Sequence, residues 1–274
     1  MSDALTTAID RLRFTLAQYD SLAVAVSGGV DSMTLAAITY EVLGDKALMV
    51  HAMSPAVPEA ATQRVRDAAH TLGWNAQYVD AGEFEDEQYR TNPVNRCYYC
   101  KSNLYGRIQH VWSGPIASGA NLDDLGDYRP GLLAASERRV VHPLIEAKID
   151  KATVRAIART LGLNSVSELP AQPCLSSRIE TGIAIDANDL AFVNSMEEFL
   201  SGQLGPGDVR CRITSGGVRI EVPETLKNAN TDIWGAVCKQ ATQMIHDDKR
   251  MLAGFSSYQR GSAFLTDPIV VSKS

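Results

Sequence analysis

The stretch LAVAVSGGVDSMTLAAITYEVLG, residues 22–44, constrains this chain more than any other. Its opening is short, apolar and β-prone, and reads as a strand buried on both faces. From Val30 to Leu43 a helical pattern follows and stops at Gly44. Strand, glycine turn and helix in immediate succession begin an alternation that the next hundred residues continue.

ALMVHA reads as a second strand, AQYVDA as a third, and PIASGA and RVVHPL as two more. PEAATQRVRDAAHTLG is a helix with Pro58 at its start and Gly73 at its stop. DKATVRAIARTLGL is a further helix, and Leu5, Ile9, Leu12 and Leu16 mark an amphipathic opening one. Strands alternating with helices predict an α/β fold: a Rossmann-like parallel sheet, helices on both faces, right-handed crossovers. After LPAQPCLSSRIETG the pattern changes. A helix over about 186–200 is followed by the alternating segment DVRCRITSGGVRIEV, a helix over about 231–246 and a short strand. Val209, Cys211 and Ile213 share one face, and SGG turns the chain back. The expected division is a nucleotide-type domain over 1–173 and a small α+β domain over 174–274.

The formal charge of −6 argues against a general nucleic-acid binder, which needs a basic face to displace counterions. A local basic pocket for one phosphorylated ligand stays compatible with it. No apolar run is long enough to span a bilayer, and MSDALTTAIDRLRF lacks the layout of a secretory signal. The expectation is a cytoplasmic protein, with no membrane or nucleic-acid partner, whose thiols are reduced. Five cysteines, an odd count, also fit a disulfide framework poorly.

Ligands of open parallel sheets bind at the carboxyl ends of the strands, where Ser27 to Ser32 lie. Gly28 and Gly29 allow a sharp turn and a close backbone approach. The helix beyond them presents unpaired N–H groups and a partial positive charge, so the loop suits a phosphate. Ser27 and Ser32 add hydroxyls. Asp31 would repel a phosphate unless a Mg²⁺ ion bridged the two.

Cys97 and Cys100, in NRCYYCK, are one helical turn apart and could share a metal or a cluster. Core thiols and a redox dithiol are the other readings. Cys174 sits in QPCLSSR, a loop in which Arg178 could favour its thiolate. Cys211 and Cys238 lie on apolar faces and read as packing residues.

The loop SGGVDS resembles that of the PP-loop ATP pyrophosphatases, which split ATP into AMP and pyrophosphate and leave AMP on the substrate. NPVNRCYYCKSNLY, SGANLDDLGDYRPG, HPL and PCLSSRIETG resemble successive motifs of the LarE family within that superfamily. SSYQRGS resembles the family's terminal GYRxGS element, with Ser256 and Ser257 in place of the more usual residues. The resemblance implies an adenine nucleotide alpha hydrolase-like fold. It implies an ATP- and Mg²⁺-dependent sulfur transferase of nickel-pincer cofactor biosynthesis. Such an enzyme adenylylates a carboxylate of pyridinium-3,5-biscarboxylic acid mononucleotide and replaces an oxygen with sulfur. Two mechanisms occur in the family. In one, the cysteine matching Cys174 surrenders its sulfur and becomes dehydroalanine. In the other, three cysteines hold a [4Fe-4S] cluster that carries a transferable sulfide. Cys97, Cys100 and Cys174 resemble the cluster set, although three thiolates could also hold zinc.

Further candidates follow from position and resemblance. Asn121 and Asp124 are candidates for the nucleotide or its metal, and Arg129 for its phosphates. Lys101 and Arg178 could neutralise the leaving pyrophosphate, or Arg178 could hold a substrate carboxylate. Arg210, Arg212 and Arg260 resemble a basic pocket for the mononucleotide phosphate, and Glu198 and Glu221 are lesser candidates. His51 and His142 end strands and read as structural. The family implies a homo-oligomer and an external sulfide donor. A tRNA thiolase or an amide-forming enzyme of the same superfamily is the alternative. The acidic balance and the cysteine trio disfavour these two in turn.

Overall fold

A computed structural model describes residues 3–126, 130–170 and 173–258. The chain forms two compact units, Met1–Gln172 and Pro173–Ser274.

In the first unit the elements run α1 (Asp3–Leu16), β1 (Leu22–Ala25), α2 (Val30–Leu43), β2 (Ala47–Met53), α3 (Glu59–Leu72) and β3 (Ala76–Asp80). They continue with α4 (Glu87–Arg90), α5 (Arg96–Val111), β4 (Ile116–Ala117), α6 (Pro130–Glu137), α7 (Pro143–Glu146), α8 (Lys151–Thr160) and α9 (Asn164–Ser167). The four strands form one parallel sheet in the order β3-β2-β1-β4. Successive strands therefore step outward from β1 on one side before the chain returns to its other edge. That reversal between β1 and β4 opens a crevice at their carboxyl ends, the place where such sheets bind ligands.

Burial follows from the parallel arrangement. Leu22, Ala23 and Val24 of β1 are fully inaccessible, because side chains on both faces meet helices. One face buries Val24 and Met49 against Met33 and Ile38 of α2 and Val154 and Ile157 of α8. The other buries Ala23 and Val50 against Leu104 and Ile108 of α5. The amphipathic stripe of α1 seats Ile9, Leu12 and Leu16 in the first of these clusters. The RVVHPL segment does not form the expected strand. Val141 makes a single parallel bridge to Ala117, bonding through both its N–H and its C=O. Two residues on, Pro143 has no N–H to extend the ladder and opens the one-turn helix α7 instead.

The second unit begins with the 3₁₀ turn Leu175–Arg178 and continues with α10 (Ala187–Leu204), β5 (Arg210–Thr214), β6 (Gly217–Val222), α11 (Glu224–Ala229), α12 (Thr231–Asp247) and β7 (Leu252–Ser257). β5 and β6 form the expected antiparallel hairpin, and β7 adds in parallel to the far edge of β6. Cys211, Ile213, Val218, Ile220 and Val222 make the apolar face. α10 and α12 carry the matching stripes Leu190, Val193, Leu200 and Val237, Ala241, Ile245. The opposite face of the hairpin carries Arg210, Arg212, Arg219 and Glu221, because side chains alternate along each strand.

Ile157 has no exposed surface and sits on the α8 side of the first unit's core. Ile157→Ala should destabilise the protein by about 2–5 kcal/mol. Urea unfolding followed by circular dichroism measures this.

Candidate functional site

The glycine loop is held from beneath. Gly28 has φ +77°, and a Cβ there would lie 2.5 Å from the Ala61 carbonyl oxygen on α3. Only glycine fits that conformation and that contact together. Arg64 Nε donates to the Gly28 carbonyl at 3.0 Å. His51 Nδ1 lies 2.8 Å from the Val26 carbonyl, and Nε2 lies 3.0 Å from Thr62 Oγ1. A carbonyl only accepts, so Nδ1 carries the proton and Nε2 accepts from Thr62. The loop is thus fixed by β2 and α3 as well as by its own strand.

Within the loop, Ser32 is 5% exposed and its hydroxyl faces inward. It accepts from Ser27 N at 3.0 Å, lies 3.1 Å from Ser27 Oγ and donates to the Gly29 carbonyl. Ser32 therefore shapes the cradle more than it lines it. Gly29 is the N-cap of α2 and supplies no capping side chain, so the first-turn N–H groups keep their polarity toward the carboxyl end of the sheet.

Asp31 is the centre of this site. Asn121 Nδ2 donates to its Oδ1 at 3.1 Å, and Lys151 forms an ion pair with its Oδ2. Asn121 is 3% exposed. It accepts from Asp123 N through Oδ1, while its own N–H donates to Asp124 Oδ2 at 3.0 Å. Asp124 thus closes the turn that aims Asn121. Lys151 arrives because Leu122 N donates to the Ile149 carbonyl, tying that turn to the start of α8. A Cβ on Gly119 would lie 2.7 Å from Ser32 N, so the turn after β4 packs directly on the start of α2. Asp31 with a partly exposed ammonium on one oxygen fits a Mg²⁺ ligand, since the ammonium occupies the charge position that a metal would take.

Cys97 and Cys100 lie in the first turn of α5, the former exposed and the latter partly so. Lys101 follows them, its stem close to Gly131 at the start of α6. Glu83 lies 2% exposed in the turn after β3. Burial raises its pKa and Asp80 adds to the effect, while Ser54 and Lys101 oppose it. Among the described residues, neither unit gathers three His, Cys, Asp or Glu side chains into a metal-holding group.

In the second unit Cys174 is the N-cap of the turn Leu175–Arg178. Arg178 is buried, and all its nitrogens are used by the chain itself. Nε and Nη2 donate to the two oxygens of Glu197 at 2.9 and 2.8 Å. Nη1 donates to the Pro173 carbonyl, the Cys174 carbonyl and Ser177 Oγ. Glu197 Oε1 also accepts from Cys211 N. Among the described residues these bonds leave one Nη2 N–H for a substrate or pyrophosphate oxygen. Arg178 positions the Cys174 turn. Arg212 ties the same turn to β5 by donating to the Ser177 carbonyl, and pairs with buried Glu221 at 2.8 Å. Arg210 bonds Asp208 and the Val209 carbonyl and stacks on the Tyr258 ring at 5.1 Å.

No family model matches the chain. An uncharacterized protein of Synechocystis is 38% identical over 223 residues, 80% of this chain and 82% of that protein. Pyridinium-3,5-bisthiocarboxylic acid mononucleotide synthase of Lactiplantibacillus plantarum is 32% identical over 214 residues, 76% of this chain and 77% of that enzyme. The chain belongs to the LarE family. An uncharacterized protein of Methanocaldococcus jannaschii is 27% identical over 74% of the chain.

The LarE-type motifs are divided between the two units. Ser27, Gly28, Gly29, Asp31, Ser32, Asn121 and Asp124 meet around one crevice of the first unit, whereas Cys174, Arg178, Arg210 and Arg212 meet in the second. Arg129 and Arg260 lie outside the described residues, as does Asp127. Glu198 is on the outer face of α10, bonded only to Asn194 among the described residues. Its neighbour Glu197 takes the buried position. Sequence reasoning missed Lys151, Arg64, Glu197 and the part played by His51. Each acts through a partner 19 or more residues away, and none belongs to a recognisable local motif.

Burial holds the His51 pKa below its usual value. The unfolded chain takes up a proton near pH 6.5 and the folded chain only at lower pH, so stability falls as pH drops through about 6.5. His51→Gln removes that titration. The variant should lose less stability than wild type between about pH 7.5 and about pH 5.5, as read by urea unfolding at each pH.

Proposed function

We propose that this protein is an ATP-dependent sulfur transferase that acts on a carboxylate of a pyridinium mononucleotide. The observation that carries this reading is the pairing, in one chain, of two built parts. One is a glycine cradle with Asp31 held by Asn121 and Lys151. The other is a cysteine turn locked by Arg178 and Glu197 beside an arginine-bearing sheet face. The name of the Lactiplantibacillus relative supports the same chemistry.

In this reading a substrate carboxylate oxygen attacks the α-phosphorus of ATP. The bond to the β-phosphate oxygen breaks and pyrophosphate leaves. The cradle residues Gly28 and Gly29 and the first N–H groups of α2 bind phosphate oxygens. Asp31 would hold Mg²⁺, which supplies charge neutralisation at the phosphates. Lys151, released from Asp31, and Lys101 offset the charge of the leaving group. Sulfur then adds to the acyl carbon, the carbon–oxygen bond breaks and AMP departs, leaving a thiocarboxylate. AMP is the better leaving group here because its phosphate oxygen is far less basic than hydroxide.

The sulfur has two possible carriers in this chain. In the sacrificial route Cys174 Sγ attacks, and loss of a Cα proton cleaves its Cβ–S bond to leave dehydroalanine. The second carrier is a [4Fe-4S] cluster on Cys97, Cys100 and Cys174, which would supply a transferable sulfide at an iron that no protein thiolate holds. The donor set favours the second. Cys97 and Cys100 share a helical turn with partial exposure, and the sacrificial route gives them nothing to do.

Asp31→Asn should abolish pyrophosphate release and leave thermal stability within about 1 kcal/mol of wild type, since the change is isosteric and the pair partly exposed. Normal ATP turnover in a coupled pyrophosphate assay would remove Asp31 from the metal role.

Cys174→Ala should retain adenylate formation and lose sulfur transfer. Cys97→Ala and Cys100→Ala separate the carriers. A cluster predicts that both lose sulfur transfer together with iron and visible absorbance after anaerobic reconstitution. A single sulfur transfer by each, with wild-type Cys174 converted to dehydroalanine by mass spectrometry, would establish the sacrificial route instead.

A further inference from the structure

Arg96 is the first residue of α5 and is 6% exposed. Its Nη1 donates to Asn92 Oδ1 at 3.2 Å. Asn92 is itself buried and sits in the turn that leads into the helix, at φ +53°. Arg96 Nε is out of contact with solvent and has no hydrogen-bond partner. Nη2 bonds to no described residue, and no described carboxylate pairs with the guanidinium. Glu83 Oε2 is also buried and unbonded, so these two groups do not answer one another. Buried charges are ordinarily paired, because an ion taken out of water without a counter-ion is costly.

The surroundings add positive charge. The first turn of α5 contains no acid, and Asn95 at the N-cap makes no side-chain bond to it. The N–H groups that open this 16-residue helix carry a partial positive charge. Lys101 follows in the second turn. A guanidinium, a helix N-terminus and an ammonium thus share one end of α5. β3 and β4 are parallel, so α5 between them runs back along the sheet and starts at the carboxyl ends of the strands, the side on which the glycine loop lies.

With Nη1 taken, the open edge of Arg96 is the one formed by Nε and Nη2. Its two N–H groups are parallel and match the two oxygens of a carboxylate. We propose that Arg96 is a specificity residue whose Nε–Nη2 edge binds the second carboxylate of the pyridinium substrate, the one that is not being activated. This deepens the proposed function and rests on it. The reacting carboxylate and the pyrophosphate change charge or leave during the reaction, whereas the second carboxylate stays ionised throughout and needs a lasting counter-ion. Both carboxylates are fixed to one planar ring, so an ion pair at one sets the direction of the other.

The test uses the full-length chain, Arg96→Gln and two substrates, the pyridinium mononucleotide with both carboxylates and the one with a single carboxylate. Pyrophosphate release gives kcat/KM for each. Wild type should prefer the dicarboxylate by about tenfold to a hundredfold. Arg96→Gln should lose most of that preference, with ATP affinity by calorimetry unchanged. Arg96→Lys should keep part of it, since an ammonium retains the charge and loses the fork. The unfolding temperature of Arg96→Gln should stay level or rise, because an unpaired buried cation is removed. A residue that only supported the fold would lower it. A lowered unfolding temperature, no preference in wild type, or an undiminished preference in Arg96→Gln would each overturn the proposal. Weakened pyrophosphate binding by Arg96→Gln would assign Arg96 to the leaving group and overturn it too. If wild type releases no pyrophosphate with either substrate, the functional reading fails. Calorimetric titration of the dicarboxylate mononucleotide then decides Arg96 alone: weaker binding to Arg96→Gln than to wild type upholds its carboxylate role, and equal binding, or none to wild type, removes it.

Discussion

The contact between Gly28 and the Ala61 carbonyl is the constraint on which the glycine loop of the first unit depends. It forces a left-handed backbone at one residue and brings the loop onto α3. Arg64 and His51 then bond the carbonyls on either side, so the loop's outward N–H groups are aimed by donors behind it. Preorganisation of this kind matters because a dipole already in place costs no reorganisation when charge develops on a phosphate. Asp31 is built differently. Asn121 bonds one of its oxygens, whereas the other holds the partly exposed Lys151 ammonium.

The second unit solves the opposite problem. Cys174 sits in a short irregular turn, and irregular backbone has few internal bonds. Arg178 supplies them from a buried position, with three acceptors in the turn itself and a two-pronged pair to Glu197. Glu197 in turn binds the β5 backbone through Cys211 N. Breaking such a pair from one side leaves an uncompensated buried charge and costs about 3–5 kcal/mol. Arg178 thus holds the turn in place.

Much of this was legible in the residues. The β1 run, its glycine loop and α2 were marked by apolar length, paired glycines and Gly44. The structure places the helix over Val30–Leu43, the span read from the sequence. The β5–β6 hairpin was marked by period-two alternation around SGG. The RVVHPL strand failed because apolar residues signal burial, while only backbone N–H groups build a ladder, and Pro143 lacks one. Lys151, Arg64 and Glu197 went unseen for a related reason. Local sequence gives the presence of a charge, and the partner that saturates it comes from another element.

The sequence by itself determined the alternating α/β plan, the position of the glycine loop between β1 and α2 and the division of the cysteines between apolar faces and polar turns. These follow from periodicity, from backbone permissiveness at glycine and from side-chain type, all properties of a few adjacent residues. Tertiary structure alone decided that Lys151 meets Asp31, that Glu197 rather than Glu198 secures the cysteine turn, and that Arg212 faces Arg219 across a strand pair. Those outcomes depend on register and on which helix face turns inward. Both are set by the packing of distant segments, so no short window of residues contains them.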